Sequence, residues 1–173
     1  MTTVFNLPPN LTRHPLSACF PDMLSGEFDE LVLDIEKNGQ RELVALLDDQ
    51  ILDGWHRYQA CTKLGVTCVG RDFQQDGDAV AYVTSKNLRR RSLTPSQRAS
   101  VTVALYNWTS APDGAEGRVA PGEAKTNDEL AAMADVSART IRRAKEAEAA
   151  GLADQVIAGN VSLTSVENSA AEK

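Results

Sequence analysis

The sequence predicts an α+β protein in two parts, a small mixed domain over residues 1–93 and an all-α domain over residues 94–173. Short apolar runs alternate with helical segments in the first part, and only helical patterns follow in the second. Between them, Leu93-Thr94-Pro95-Ser96-Gln97 stacks helix-start signals: Thr94 as N-cap, Pro95 at N1 and Gln97 at the capping-box position. No internal repeat is visible.

The elements follow in order. Residues 1–25 are rich in Pro, Asn, Thr and Ser and read as extended chain, with an edge strand near Val4-Phe5. Glu27 to Lys37 reads as an amphipathic helix, because Phe28, Leu31, Val32 and Ile35 recur at helical spacing. Gly39 suits the left-handed position after it. Leu43–Leu47 and Gln50–Leu52 read as a hairpin through Asp48-Asp49. A helix from the Asp53-Gly54 turn runs to Leu64 and stops at Gly65. Val66–Val69 is β-prone, and Ala79–Asn87 is helical. In the second part, a helix from Pro95 to Trp108 carries Val101, Leu105 and Trp108 on one side. Thr109–Lys125 is a loop rich in Gly, Pro and Ala. Thr126-Asn127-Asp128-Glu129 is a capping box that opens the next helix.

Composition narrows the class. Of 173 residues, 42% are hydrophobic and 24% charged, which is ordinary for a soluble globular protein. Net charge is −6, so any nucleic-acid binding rests on local basic patches. Cys19, Cys61 and Cys68 show no C-x-x-C spacing and no metal-ligand pattern with His14 or His56, so they read as reduced thiols and no metal site is expected. No signal peptide is visible, and no apolar run reaches membrane-spanning length. The expectation is a cytoplasmic protein with no membrane partner.

Three stretches carry chemistry. In Ile51–Cys61, a short strand turns through Asp53-Gly54 into a helix with His56 and Arg57 in its first turn. Backbone N–H groups, the helix dipole and Arg57 together make a phosphate-holding turn. The same residues also suit a turn that only changes the chain's direction. A second basic cluster, Lys86-Asn87-Leu88-Arg89-Arg90-Arg91, either joins this anion site or forms a solvated linker. In the helical part, Ala131, Asp135 and Ile141 match the spacing of a helix-turn-helix of bacterial transcription and partition regulators, over about 127–146. Ser137 caps its second helix. Ser137, Ala138, Arg139, Thr140, Arg142 and Arg143 are then the candidate DNA contacts, the arginines suiting guanine and the hydroxyls suiting phosphate. The alternative is an exposed basic face that meets only water and Glu146 or Glu148.

Further residues carry a resemblance. Gly54, Arg57 and Ala60 match the G-E-R-R-x-x-A motif of ParB proteins, with Trp55 and His56 at its second and third positions. Asn87 and Arg90 match E-N-x-Q-R, with Lys86 in place of Glu and Arg89 in place of Gln. Leu93–Ala99 matches the start of the next helix, and Ile51–Cys61 fits the I-L-D-G-x-x-R-Y-x-A-C form of phage and mobile-element members. The N-terminal half thus resembles the ParB/sulfiredoxin superfamily, and residues 13–171 resemble ParB-like partition proteins of plasmids and phages.

The resemblance implies a DNA-binding protein of plasmid or phage partition or regulation, whose N-terminal domain holds CTP or ATP as a switch. Gly54, Trp55, His56, Arg57, Asn87, Arg89 and Arg90 would be the nucleotide-binding residues. Double-stranded DNA and nucleotide would be the partners, together with a second copy of the chain in a homodimer. The family Glu helps position Mg²⁺. Lys86 stands there instead and cannot ligate a cation, so metal-dependent hydrolysis is in doubt while anion binding is not. Sulfiredoxins carry their catalytic Cys where this chain has Trp55, which argues against sulfinic-acid reduction. The rival reading is an enzyme on the same fold, a metal-dependent nuclease, nucleotide hydrolase or kinase, with Asp53 and His56 as candidate catalytic residues.

Overall fold

The strands of this protein are three or four residues long, too short to stand alone, and they are held by pairing out of chain order. The computed structural model describes residues 3–73, 78–88, 93–110 and 125–166, with side chains to residue 106 in the third stretch. It is a mixed α+β structure whose sheet has four strands in the order β1-β4-β2-β3. These are β1 (Val4–Asn6), β2 (Val44–Leu47), β3 (Gln50–Asp53) and β4 (Val69–Asp72). β2 and β3 form an antiparallel hairpin, β1 lies antiparallel to β4, and β2 and β4 are parallel. At the hairpin turn Asp48 and Asp49 both have positive φ, 50° and 57°. That is the twist a two-residue hairpin needs, and Asp tolerates it better than most residues.

The chain divides into two compact units, residues 1–18 with 22–83 and residues 19–21 with 84–173. The first unit holds the sheet, α1 (Pro15–Ala18), α2 (Ser25–Asn38) and α3 (Trp55–Leu64). Val32 and Ile35 of α2 pack with Val44, Leu46, Ile51, Tyr58, Ala60, Cys61 and Cys68, and Phe28 and Leu31 pack at the margin. The helical spacing of these α2 residues is therefore its core face. Gly39 has the expected positive φ of 74°, but its ψ of 176° lies outside the left-handed helical region. The outer edge of β3 is covered by chain: Ile51 donates to the Thr12 carbonyl (2.9 Å), and the His14 N–H donates to the Ile51 carbonyl (3.0 Å).

The β-prone run Val66–Val69 is a strand only at its last residue, and β4 continues to Asp72. The reason lies in how α3 ends. Gly65 takes φ 67°, and the Val66 N–H reaches back to the Cys61 carbonyl at 3.0 Å. This closes the helix in a Schellman turn and commits Val66 to it. Cys61 and Cys68 are buried. Burial, and then the neighbouring Cys61 thiol, push the Cys68 thiol up to about 12, so it is protonated and inert at neutral pH.

α4 (Ala79–Asn87) spans the division between the units. The second unit continues with α5 (Pro95–Ser110), α6 (Asn127–Ala134), α7 (Ala138–Ala149) and α8 (Ala153–Ile157). The capping signals hold. Thr94 N–H donates to Gln97 Oε1 (2.9 Å) and Gln97 N–H to Thr94 Oγ1 (3.2 Å), and Thr126 and Glu129 repeat the exchange at α6. α5 differs from the one-sided helix that its sequence suggests. Ala99, Ser100, Val101, Thr102, Val103 and Leu105 are all buried, and the Trp108 side chain lies outside the described residues. Ala99 and Val103 belong to a core built from α6, α7 and α8, so α5 is an internal helix, and small residues let it be enclosed. Arg89, Arg90 and the loop over 111–124 are outside the described residues. No described helix is long and apolar enough to cross a membrane.

His14 is a buried polar residue of the first unit, and it caps α1. Its Nδ1 accepts the Leu16 N–H at 3.2 Å, and Pro15 sits at N1. Burial holds this imidazole below its ordinary value of 6.5, against a weaker opposing pull from Asp48. The unfolded chain then binds a proton that the folded chain resists. This contribution is intact above pH 6.5 and is lost as pH falls toward the lowered value, by at most about 1.4 kcal/mol per pH unit. Denaturant titrations at about pH 7.5 and about pH 5.5 measure the loss. His14→Asn, which keeps an acceptor for Leu16, is expected to flatten it, and an unaltered slope in that variant rules His14 out as its source.

Candidate nucleic-acid interface and the Gly54 turn

Gly54 joins β3 to α3 in the left-handed conformation, φ 91° and ψ 23°. Any Cβ there would stand 2.8 Å from Arg57 Nη2 and 3.1 Å from Val44 Cγ2. The crowding shows where Arg57 goes. Its side chain folds back over the turn, with Nη2 at 3.1 Å from Asp53 Oδ2 and 3.3 Å from the Leu43 carbonyl, and Nη1 at 3.2 Å from Glu42 Oε2. Asp53 is buried and Glu42 exposed, so Asp53 is the partner that depends on the pair.

The two residues before Arg57 are also turned to internal partners. His56 Nε2 accepts the Met23 N–H at 3.1 Å and lies 3.4 Å from Asp22 Oδ1, and Asp22 is bound to Arg13 at 2.7 Å. Trp55 stacks on Tyr58 with centroids 6.1 Å apart. The Tyr58 hydroxyl donates to the Pro8 carbonyl and accepts from the Leu11 N–H, both at 3.0 Å. The start of α3 thus fastens the N-terminal arm at Pro8, Leu11 and Met23.

Arg57 Nε is a buried donor with no hydrogen-bond partner among the described residues, whereas its two terminal nitrogens are engaged. The cation of the motif faces two carboxylates, which an incoming phosphate would have to displace or tolerate. Lys86 is exposed at the end of α4, Asn87 is half-buried, and Arg89 and Arg90 lie outside the described residues. Asp53 and His56 each have a structural partner. No group of three His, Cys, Asp or Glu side chains suited to a metal occurs among the described residues.

The α6–α7 pair is built differently. Asp135 ends α6 in the left-handed conformation, φ 52° and ψ 55°, and the Val136 N–H reaches back to the Ala131 carbonyl at 3.1 Å. Ser137 is the N-cap of α7, its Oγ accepting the Thr140 N–H at 3.2 Å. Ala131, Ala134, Ile141 and Ala144 are buried together, with Val136 beside them, as their small or branched shapes suggest. The candidate contacts are then sorted by exposure. Arg139 and Arg142 are exposed, Ala138, Thr140 and Arg143 are half-buried, and the Ser137 hydroxyl is exposed but engaged in the cap.

No family model and no curated protein matches the chain. Among solved structures, the chain is similar to a Pnob8-like ParB-N domain. It is 18% identical over 64% of this chain, with a TM-score of 0.48. The match spans 46% of that structure's chain, under half its length.

Sequence reasoning missed Glu42, Asp22 and Arg98. Glu42 pairs with Arg57, which the motif assigns to a ligand, and Asp22 lies beside His56 while bound to Arg13. Arg98 donates from Nε to the Ala134 carbonyl (2.8 Å) and from Nη2 to the Asp135 carbonyl (3.0 Å). The available signal for Arg98 was its place one turn into a strongly capped helix.

Two measurements follow from the Gly54 turn. Gly54→Ala is expected to destabilise the first unit by about 1–2 kcal/mol for the left-handed backbone, and by more for the clash with Arg57. Thermal or denaturant unfolding reads this, and wild-type stability in the variant would mean that Arg57 does not pack over the turn. Calorimetric titration of the intact chain with CTP or ATP is expected to give no saturable binding, since Glu42 and Asp53 hold the guanidinium. Tight binding would show that these carboxylates release it.

Proposed function

We propose that the chain is a ParB-like DNA-binding protein that reads double-stranded DNA with a helix-turn-helix made of α6 and α7. The supporting observation is the combination at α7: a left-handed Asp135 turn, a Ser137 cap, one face closed in the core and Arg139 and Arg142 exposed. A helix held by one face can enter the major groove with the other, and its N-terminal half carries the side chains that reach base edges. Arginine is suited to both jobs there, bidentate pairing with guanine and neutralising phosphate. The helix dipole adds positive character at the same end. A role in plasmid or phage partition or regulation is the setting in which such a reader is useful.

The enzyme reading has less support, because Asp53 and His56 are both spent on holding the turn and the arm. A nucleotide-driven switch meets the same objection at Arg57.

Fluorescence anisotropy with a labelled duplex library at low salt tests the proposal. Wild type is expected to bind with an affinity that falls steeply with salt. Arg139→Ala and Arg142→Ala are each expected to weaken binding, by about 1–3 kcal/mol at a favoured sequence if the side chain reads a base. A side chain that meets only phosphate should instead lower the salt slope by about 1. A doubly substituted chain that binds like wild type removes α7 as the DNA-reading element.

A further inference from the structure

We infer that Arg98, a residue of α5 and not of the DNA-reading helix, is the positioning residue that sets how α7 is presented to DNA. The inference rests on the DNA-binding reading above and extends it to a residue that need not touch DNA.

Arg98 uses all three of its guanidinium nitrogens on backbone carbonyls. Nε donates to Ala134 (2.8 Å), Nη2 to Asp135 (3.0 Å) and Nη1 to Leu93 (3.1 Å). Ala134 is the last residue of α6, and Asp135 is the left-handed residue that turns the chain toward α7. Their carbonyls are among those a helix end leaves without a partner inside the helix. Leu93 leads into α5. One planar, rigid cation therefore joins the entry of α5 to the turn before α7, in a fixed geometry that an ammonium cannot copy.

The same contact accounts for the residue at the turn. Asp135 pays for its left-handed backbone where Gly would not, yet its carbonyl is held by Arg98 and its carboxylate lies 3.9 Å from Arg98 Nη2. Beyond Asp135 only Val136 and the cap Ser137 separate the turn from α7. A change in the Asp135 peptide plane is thus passed directly to the start of α7. Gln97, the neighbour of Arg98, donates in the same way to the Ile157 carbonyl at the end of α8 (2.9 Å). The first turn of α5 is accordingly a fixed point for the helices around it. Base readout tolerates little misplacement of the reading side chains, whereas phosphate attraction tolerates much more.

The test is Arg98→Lys in the full chain, which keeps the charge and loses the three-point geometry. A duplex sequence is first selected from a random library by the wild-type chain. The variant is expected to bind that duplex about tenfold more weakly, while its affinity for a scrambled duplex and its salt slope stay at the wild-type level. Amide hydrogen exchange is read in parallel. Val136 and Thr140 should exchange faster, with the α5 amides unchanged. Equal affinity for the selected duplex overturns the positioning role. Equal losses on both duplexes make Arg98 a phosphate contact, and faster exchange throughout α5 makes it a general stabiliser; either result overturns the role as well. If the wild-type chain selects no sequence, the DNA reading itself fails and the role of Arg98 falls with it.

Discussion

The first unit depends on one buried carboxylate finding one cation. Asp53 ends β3 inside the protein, where an unpaired charge would cost several kcal/mol, on the order seen when a buried pair is broken. Arg57 answers it from one turn along α3, and to get there it must lie across the backbone of residue 54. That path requires glycine both for its positive φ and for its missing Cβ. The pair therefore fixes the angle between β3 and α3. That angle in turn sets Trp55, His56 and Tyr58 where they catch Pro8, Leu11 and Met23. The strand-turn-helix that looks like a ligand site in sequence also fastens the N-terminal arm.

Much of the fold was legible because its signals are local. The α2 stripe, the hairpin through Asp48-Asp49, the Gly65 stop and both capping boxes each depend on residues within a few positions of one another. Three features were not legible, each for its own physical reason. Val66–Cys68 has strand propensity, but closing α3 takes priority. α5 reads as one-sided because Ser100 and Thr102 are polar, although a hydroxyl can be buried when the helix backbone accepts it, as Thr102 Oγ1 donates to the Arg98 carbonyl. Glu42 lies 15 residues before Arg57 in sequence, and nothing in the spacing marks the two as partners.

The candidate sites show the same contrast. At α6–α7 the turn, the cap and the buried contacts were all readable, because each depends on residues close together in sequence. At Gly54 the motif located the turn, and the structure pairs its Arg57 with Asp53 and Glu42. Arginine is chosen wherever planar, multiple donation is useful, and a protein's own carbonyls and carboxylates are as suitable as a phosphate. Arg57 and Arg98 are both of this kind. Each is a basic residue near a helix start that donates to groups of the chain itself, Arg98 through all three nitrogens and Arg57 through two.

This matters for how an acidic protein could hold DNA. With a net charge of −6, the chain as a whole repels a phosphate backbone, and α2 alone exposes Asp29, Glu30 and Glu36. Salt confines that repulsion to about 8 Å under physiological conditions, so a local basic face can still act. Such a face cannot lean on long-range attraction as a strongly basic binder does. Its affinity must come from a few close contacts, and these have value only when the helix carrying them is held at the right angle. An acidic reader should therefore depend more on the rigidity of its scaffold than a basic one, which gives physical weight to the bonds Arg98 makes with the turn before α7.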